Sequence, residues 1–236
     1  MKGLWTIARR ELTSFLGTPV AYIVAAAFLA INGFLFAVII SQSQQADMSF
    51  VFQDEAIVLL FVLPGITMRL LAEEQRLGTI ELLLTAPVRD WEIILGKFLA
   101  AFAVYCLMLV PTLLYVLFLG LLDHPDYKMI LSGYIGIVLF GADMIGLGMI
   151  TSALTQSQLV AFILAFVIGL ILWLFQGLAG IFSGGAKEVV NYLALAQHVS
   201  DFQSGLIQSD DLVFLLSFVI CTLFIATRIL ESRRYS

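Results

Sequence analysis

Charge is what this chain has least of. Asp, Glu, Lys and Arg together make up 12% of its 236 residues, against roughly a quarter in soluble domains. With 61% hydrophobic residues and a mean hydropathy of +1.03, an ordinary water-soluble fold is excluded and a bilayer is the expected solvent. Cysteine is nearly absent as well. Cys106 and Cys221 both fall inside apolar runs without a CxxC spacing, which excludes a disulfide framework and a cysteine-based metal site. The catalytic and nucleotide-binding signatures are missing too: there is no GxxxxGK[ST] phosphate loop, no HExxH and no GxSxG. No enzyme activity, no cofactor in this chain and no nucleic-acid partner are therefore expected.

What is present is a series of long apolar runs. The expected fold is all-α and integral to the membrane, a single transmembrane domain over residues 1–236. Its six spans are expected at 18–41, 52–72, 93–122, 129–154, 159–182 and 212–230. Val20 to Ile40 alone supplies 21 residues, enough for about 30 Å of hydrocarbon at about 1.5 Å per residue. Pro64 and Gly65 interrupt the second run, and a kink is expected there. Residues 1–17 precede these spans. On a helical wheel Leu4, Trp5, Ala8, Leu12, Phe15 and Leu16 oppose Lys2, Thr6, Arg9, Arg10 and Thr13, the pattern of a helix lying in the membrane interface. A cleaved signal peptide is the alternative, but the apolar run from Val20 exceeds a signal-peptide core.

The signs of the charges orient the chain. With both termini cytoplasmic, ten of the twelve basic residues lie on the cytoplasmic side and only Lys128 and Lys187 outside, as the positive-inside rule requires. The outer loops then carry Asp47, Asp54, Glu55, Asp123, Asp126, Glu188, Asp201, Asp210 and Asp211. The longest of them, 183–211, reads as a helix or re-entrant hairpin at the outer surface. Asp143 is an acid placed mid-span, and such groups face a partner or a wet cavity. Two readings stay open for it: a substrate or proton pathway, or a local ion pair with Lys97 or Arg69 from the ends of neighbouring spans.

One polar stretch, Arg69 to Lys97, holds nine of the 29 charged residues between two apolar runs. Its core, residues 73–92, is expected to be a cytoplasmic loop. Thr79 as N-cap, Glu81 in the first turn, Leu82 to Leu84 and then Pro87 predict a short docking helix of about two turns.

These residues carry a resemblance. Glu73-Glu74, Arg76, Gly78-Thr79, Glu81-Leu82, Pro87 and Gly96-Lys97 resemble the signature of ABC-2 type permease subunits. Gly146, Gly148, Ser152, Leu154, Thr155, Gln158 and Ala161 look like that family's segment joining spans four and five. His198, Phe202, Gly205, Ile207, Asp211-Leu212 and Glu231 to Arg234 are similar to the C-terminal part of its GldF-like branch, the permeases associated with gliding motility. The branch's Arg before the glycine is Ser204 here.

The resemblance implies a six-span half-transporter in a bacterial cytoplasmic membrane. It would pair with a second copy or a related permease, and an auxiliary membrane protein with an extracytoplasmic domain (GldG-like) would join it. A cytoplasmic ABC ATPase that binds ATP and magnesium would dock on Glu73, Glu74, Arg76, Gly78, Thr79, Glu81 and Leu82. His198, Phe202 and Gly205 would mark the extracytoplasmic face. Two further readings are a drug, lipid or copper-maturation permease of the same architecture and, from another class, an ion-coupled carrier or channel using Asp143. Nothing in the residues selects a substrate.

Overall fold

Backbone buried in hydrocarbon must satisfy its own hydrogen bonds, so apolar runs of this length become helices. The computed structural model describes residues 2–43, 48–79, 88–122, 126–178 and 185–234, and every element among them is helical. In chain order these are α1 (Lys2–Gly17), α2 (Pro19–Ser43), α3 (Ser49–Thr67), α4 (Ala72–Leu77) and α5 (Asp90–Leu109). A 3-10 turn at Val110–Thr112 leads to α6 (Leu113–Leu122), followed by α7 (Tyr127–Leu154) and α8 (Gln158–Leu178). Two short helices, α9 (Gly185–Tyr192) and α10 (Leu195–Gln203), precede α11 (Ser209–Arg234).

Among the described residues six helical stretches are long and apolar enough to cross a membrane: Pro19–Ser41, Ser49–Leu77, Asp90–Leu121, Tyr127–Leu154, Gln158–Leu178 and Ser209–Ser232. An even number of crossings brings α1, α4, the start of α5, the turn at 155–157 and the end of α11 to one end of the bundle, here the basic end. The helices α9 and α10 lie at the other. Pro111 explains the break in the third crossing, since it removes an N–H from the ladder. Pro64 lies within α3, which runs on to Thr67 before a turn at 68–71.

The helix α7 is the centre of the fold. It packs against α11, α3, α10, α8 and α5, and its glycines set how closely. A Cβ at Gly148 would collide with Thr67, at Gly146 with Thr222, at Gly141 with Tyr105, at Gly136 with Phe202 and at Gly133 with Phe52. Without a hydrophobic driving force inside lipid, such close approach and its van der Waals gain are what hold helices together. The polar groups in these notches are already satisfied. Thr67 donates to Leu63 O and Thr222 to Phe218 O on their own helices, and Tyr105 donates to Ile137 O at 2.6 Å, joining α5 to α7.

The wheel drawn for residues 1–17 is rotated from the observed one. The face of α1 that packs on α5 is Leu4, Ile7, Ala8, Glu11, Leu12 and Phe15, while Trp5 and Leu16 are exposed. Gly96 accounts for the shift, because its missing side chain admits Ile7 and the backbone of Leu4. A second correction concerns the outer loops. The helix α3 starts at Ser49, so Asp54 and Glu55 belong to its early turns, and Glu55 is 1% exposed. Asp211 likewise falls in the first turn of α11 and is buried.

Candidate functional site

The short helix α4 carries the candidate coupling residues, and it is held to the end of α7. The Ser152 hydroxyl accepts from Leu71 N–H and Ala72 N–H and donates to Met68 O, each at 3.0 Å. One side chain thus satisfies two N–H groups at a helix start that would otherwise be orphaned in the interior. Gln75 Nε2 then donates to the last carbonyls of α7, Ser152 O at 3.3 Å and Ala153 O at 3.0 Å. The sequence motifs around Glu73 and around Ser152 are therefore two halves of one joint. Gln75 was missed by sequence reasoning, although its place between Glu74 and Arg76 was the available signal.

Charges along α4 follow its dipole, with Glu73 and Glu74 in the first turn and Arg76 in the last. Gly78 ends the helix with φ of +69°, a left-handed conformation that favours glycine. Arg76, Gly78 and Thr79 are exposed, whereas Glu73 is half-buried and Glu74 turns inward. Glu81, Leu82 and the expected docking helix lie outside the described residues.

Lys97 explains the inward turn of Glu74. It is 1% exposed, and its Nζ lies 2.9 Å from Glu74 Oε1 and 3.1 Å from Glu11 Oε1. Arg10 stands 3.9 Å from both carboxylates, which makes the cluster of two cations and two anions neutral. A buried ammonium requires such partners, because desolvating it alone costs several kcal/mol, on the order of what a whole domain has to spare. Glu74 therefore joins α1, α4 and α5 from within. Arg69 donates to Thr18 Oγ1 at 2.8 Å and its guanidinium lies 5.0 Å from the Phe15 ring centre. Neither Lys97 nor Arg69 reaches Asp143, so the expected intramembrane pair is not formed. Asp143 is 0% exposed and neither carboxyl oxygen has a hydrogen-bond partner among the described residues. Glu55 is a second buried acid, with Oε1 unpartnered.

At the opposite end, His198 ties three helices together. Its Nε2–H donates to Tyr192 O at 2.9 Å, since a carbonyl can only accept, and Nδ1 meets Asp211 Oδ1 at 2.6 Å. The ring stacks on Phe214, with centres 4.0 Å apart. Phe202 enters the notch at Gly136, and Gly205, with φ of +82°, ends α10. Leu206 N–H donates to Asp201 O at 3.0 Å and Gly205 N–H to Phe202 O at 3.1 Å, a Schellman stop. Partial burial raises the Asp201 carboxyl above its usual range; the nearby Asp211 charge adds to this and His198 opposes it.

Six apolar crossings are the architecture the residues implied; the short charged helix anchored to span four is added by the structure. The family model for ABC-2 family transporter protein matches residues 5–217. The chain belongs to the ABC-2 transporter family. No curated protein matches it. As an ABC-2 family member it is a multi-pass membrane permease of an ABC transporter, a class whose members are membrane subunits working with a separate ATPase subunit. In this ABC-2 protein the match takes in the α4 joint, the Lys97 cluster and the His198 cap.

Proposed function

We propose that this ABC-2 permease receives the force of ATP hydrolysis at the segment following α4 and passes it to span four through the Ser152 joint. The observation that carries this reading is the set of five hydrogen bonds from Ser152 and Gln75, which makes α4 and the end of α7 a single mechanical piece. A push on a flexible loop dissipates; a push on a segment bonded to the central helix moves that helix. The basic end faces the cytoplasm in this reading, supported by the bias of Lys and Arg toward it. Exposed Arg76, Gly78 and Thr79, with Glu81 and Leu82 beyond them, form the docking surface, and Glu73 and Glu74 do not. A second copy or a related permease completes the transporter. The resemblance at His198, Phe202 and Gly205 supports a GldF-like branch, in a bacterial cytoplasmic membrane and beside a GldG-like partner.

Co-purification tests the dock. With the cognate ATPase co-expressed, the wild-type chain should retain it, and Arg76→Glu combined with Glu81→Lys should lose it without loss of the permease from the membrane. Undiminished recovery of the ATPase with the double variant would place the dock elsewhere. The ion-coupled carrier reading of Asp143 has no support from the family, but its two unpartnered oxygens leave a pathway role within an ABC transporter open to test.

A further inference from the structure

A cleft of about 290 Å³ opens at the basic end between α1, α4 and the start of α5, close to the lower size of small-molecule sites, about 300 Å³. It is lined by three cations and three acids, and most of these charges cancel within the chain: Lys97 and Arg10 offset Glu11 and Glu74. Two do not cancel. Arg69 is half-buried, uses one of its donors on Thr18 and has no carboxylate within ion-pair distance among the described residues. Glu73 is half-buried on the same cleft wall and has no cation partner among them either. The remaining lining includes the apolar Phe15, Leu70 and Leu77.

We infer that this cleft takes the head group of a phospholipid bearing a primary amine, with its phosphate on Arg69 and its ammonium on Glu73. Four arguments lead there. A half-buried guanidinium with free N–H groups is a bidentate phosphate site. A half-buried carboxylate beside it selects a cation that can donate hydrogen bonds, which a primary ammonium does and a trimethylammonium does not. A ligand carrying one charge of each sign leaves the cleft neutral, where a purely anionic head group would leave Glu73 unmatched. The cleft lies where interfacial helix α1 meets the ends of the spans, the level of lipid head groups, and its apolar wall suits the glycerol end of a lipid. This inference stands apart from the ATPase reading and survives or fails without it.

The test is lipid retention. Purified full-length permease, reconstituted in phosphatidylcholine nanodiscs containing equal parts phosphatidylethanolamine and phosphatidylglycerol, is released into detergent and weighed by native mass spectrometry. Phosphatidylethanolamine should be retained roughly tenfold over the other two, the discrimination one charge-assisted hydrogen bond supplies. R69Q should lower retention of all three lipids, because each presents its phosphate to Arg69. E73Q should remove the preference for the amine while keeping phosphatidylglycerol bound. Equal retention of all three lipids by the wild type, or an unchanged preference in E73Q, would overturn the proposal. So would complete displacement of the lipid by millimolar O-phosphoethanolamine, which would assign the cleft to a soluble ligand. Should R69Q not fold, E73Q alone decides, since it is isosteric and half-exposed.

Discussion

The hydroxyl of Ser152 donates to the carbonyl of Met68 at 3.0 Å across 84 residues of chain. The same oxygen receives two N–H groups from the start of α4, so removing it leaves three polar groups without partners in a buried place. Ser152→Ala should lower stability by about 1–3 kcal/mol, the cost of leaving a buried donor unsatisfied. The measurement is thermal unfolding of the purified chain in detergent. Faster proteolytic nicking between 71 and 79 should accompany the loss, and an unchanged nicking rate would show that α4 is held by something else.

Lys97 is caged between Glu11 and Glu74, and the cage predicts a compensation. Lys97→Met leaves the two carboxylates with only Arg10, at 3.9 Å from each, and should destabilise by about 3–5 kcal/mol. Adding Glu11→Gln and Glu74→Gln removes the stranded charges and should recover most of that loss. A triple variant no more stable than Lys97→Met would mean that unmatched carboxylate charge is not the source of the loss.

His198→Phe keeps a ring against Phe214 but removes both hydrogen bonds and leaves Asp211 buried without its partner. Amide exchange over 192–211 should accelerate, with a stability loss of about 1–3 kcal/mol. Asp211→Asn, whose side-chain amide can either donate to or accept from Nδ1, should do less harm. Equal effects from both would show that the Asp211 carboxylate matters beyond its bond to His198.

Asp143 has no partner among the described residues, so Asp143→Leu should leave stability unchanged or raise it, as replacing an unsatisfied buried polar group does. Asp143→Asn should retain the ATPase in co-purification, because the residue lies within the membrane span and the dock beyond its end. Loss of transport in Asp143→Asn with the ATPase still bound would assign the acid to the pathway. Loss of the ATPase would contradict the placement of the dock.

The orientation has its own check. In a background free of Cys106 and Cys221, Ile80→Cys should resist a membrane-impermeant thiol reagent applied to intact cells and react in inverted vesicles. Labelling from outside would reverse the topology and remove the ATPase reading with it.

The six spans were legible because length and hydropathy alone decide them, and the family signature was legible because its letters sit at fixed offsets. Partnerships across the fold were not. Charge and depth offered Lys97 or Arg69 as a partner for Asp143, beside a pathway role, yet Lys97 meets Glu74 and Glu11, a residue with no marked feature in sequence, because α1 lies along α5. Glu55 looked like a loop acid beside Asp54. No turn residue separates Ser49 from the apolar run, so the helix continues through both and carries Glu55 into the interior. Gly78 and Gly205 were visible as motif letters; their reason, a positive φ at each helix end, belongs to the backbone and is not spelled in neighbouring residues.

The glycines of α7 have a mechanical consequence. Thr67, Tyr105, Phe202, Thr222 and Phe52 enter it from several directions like keys in a slotted shaft, and any turning about its own axis would shear every key at once. The shaft can tilt or translate only with α3, α5, α10 and α11 attached to it, and since α2 and α8 both pack on α3 they are drawn along with that block.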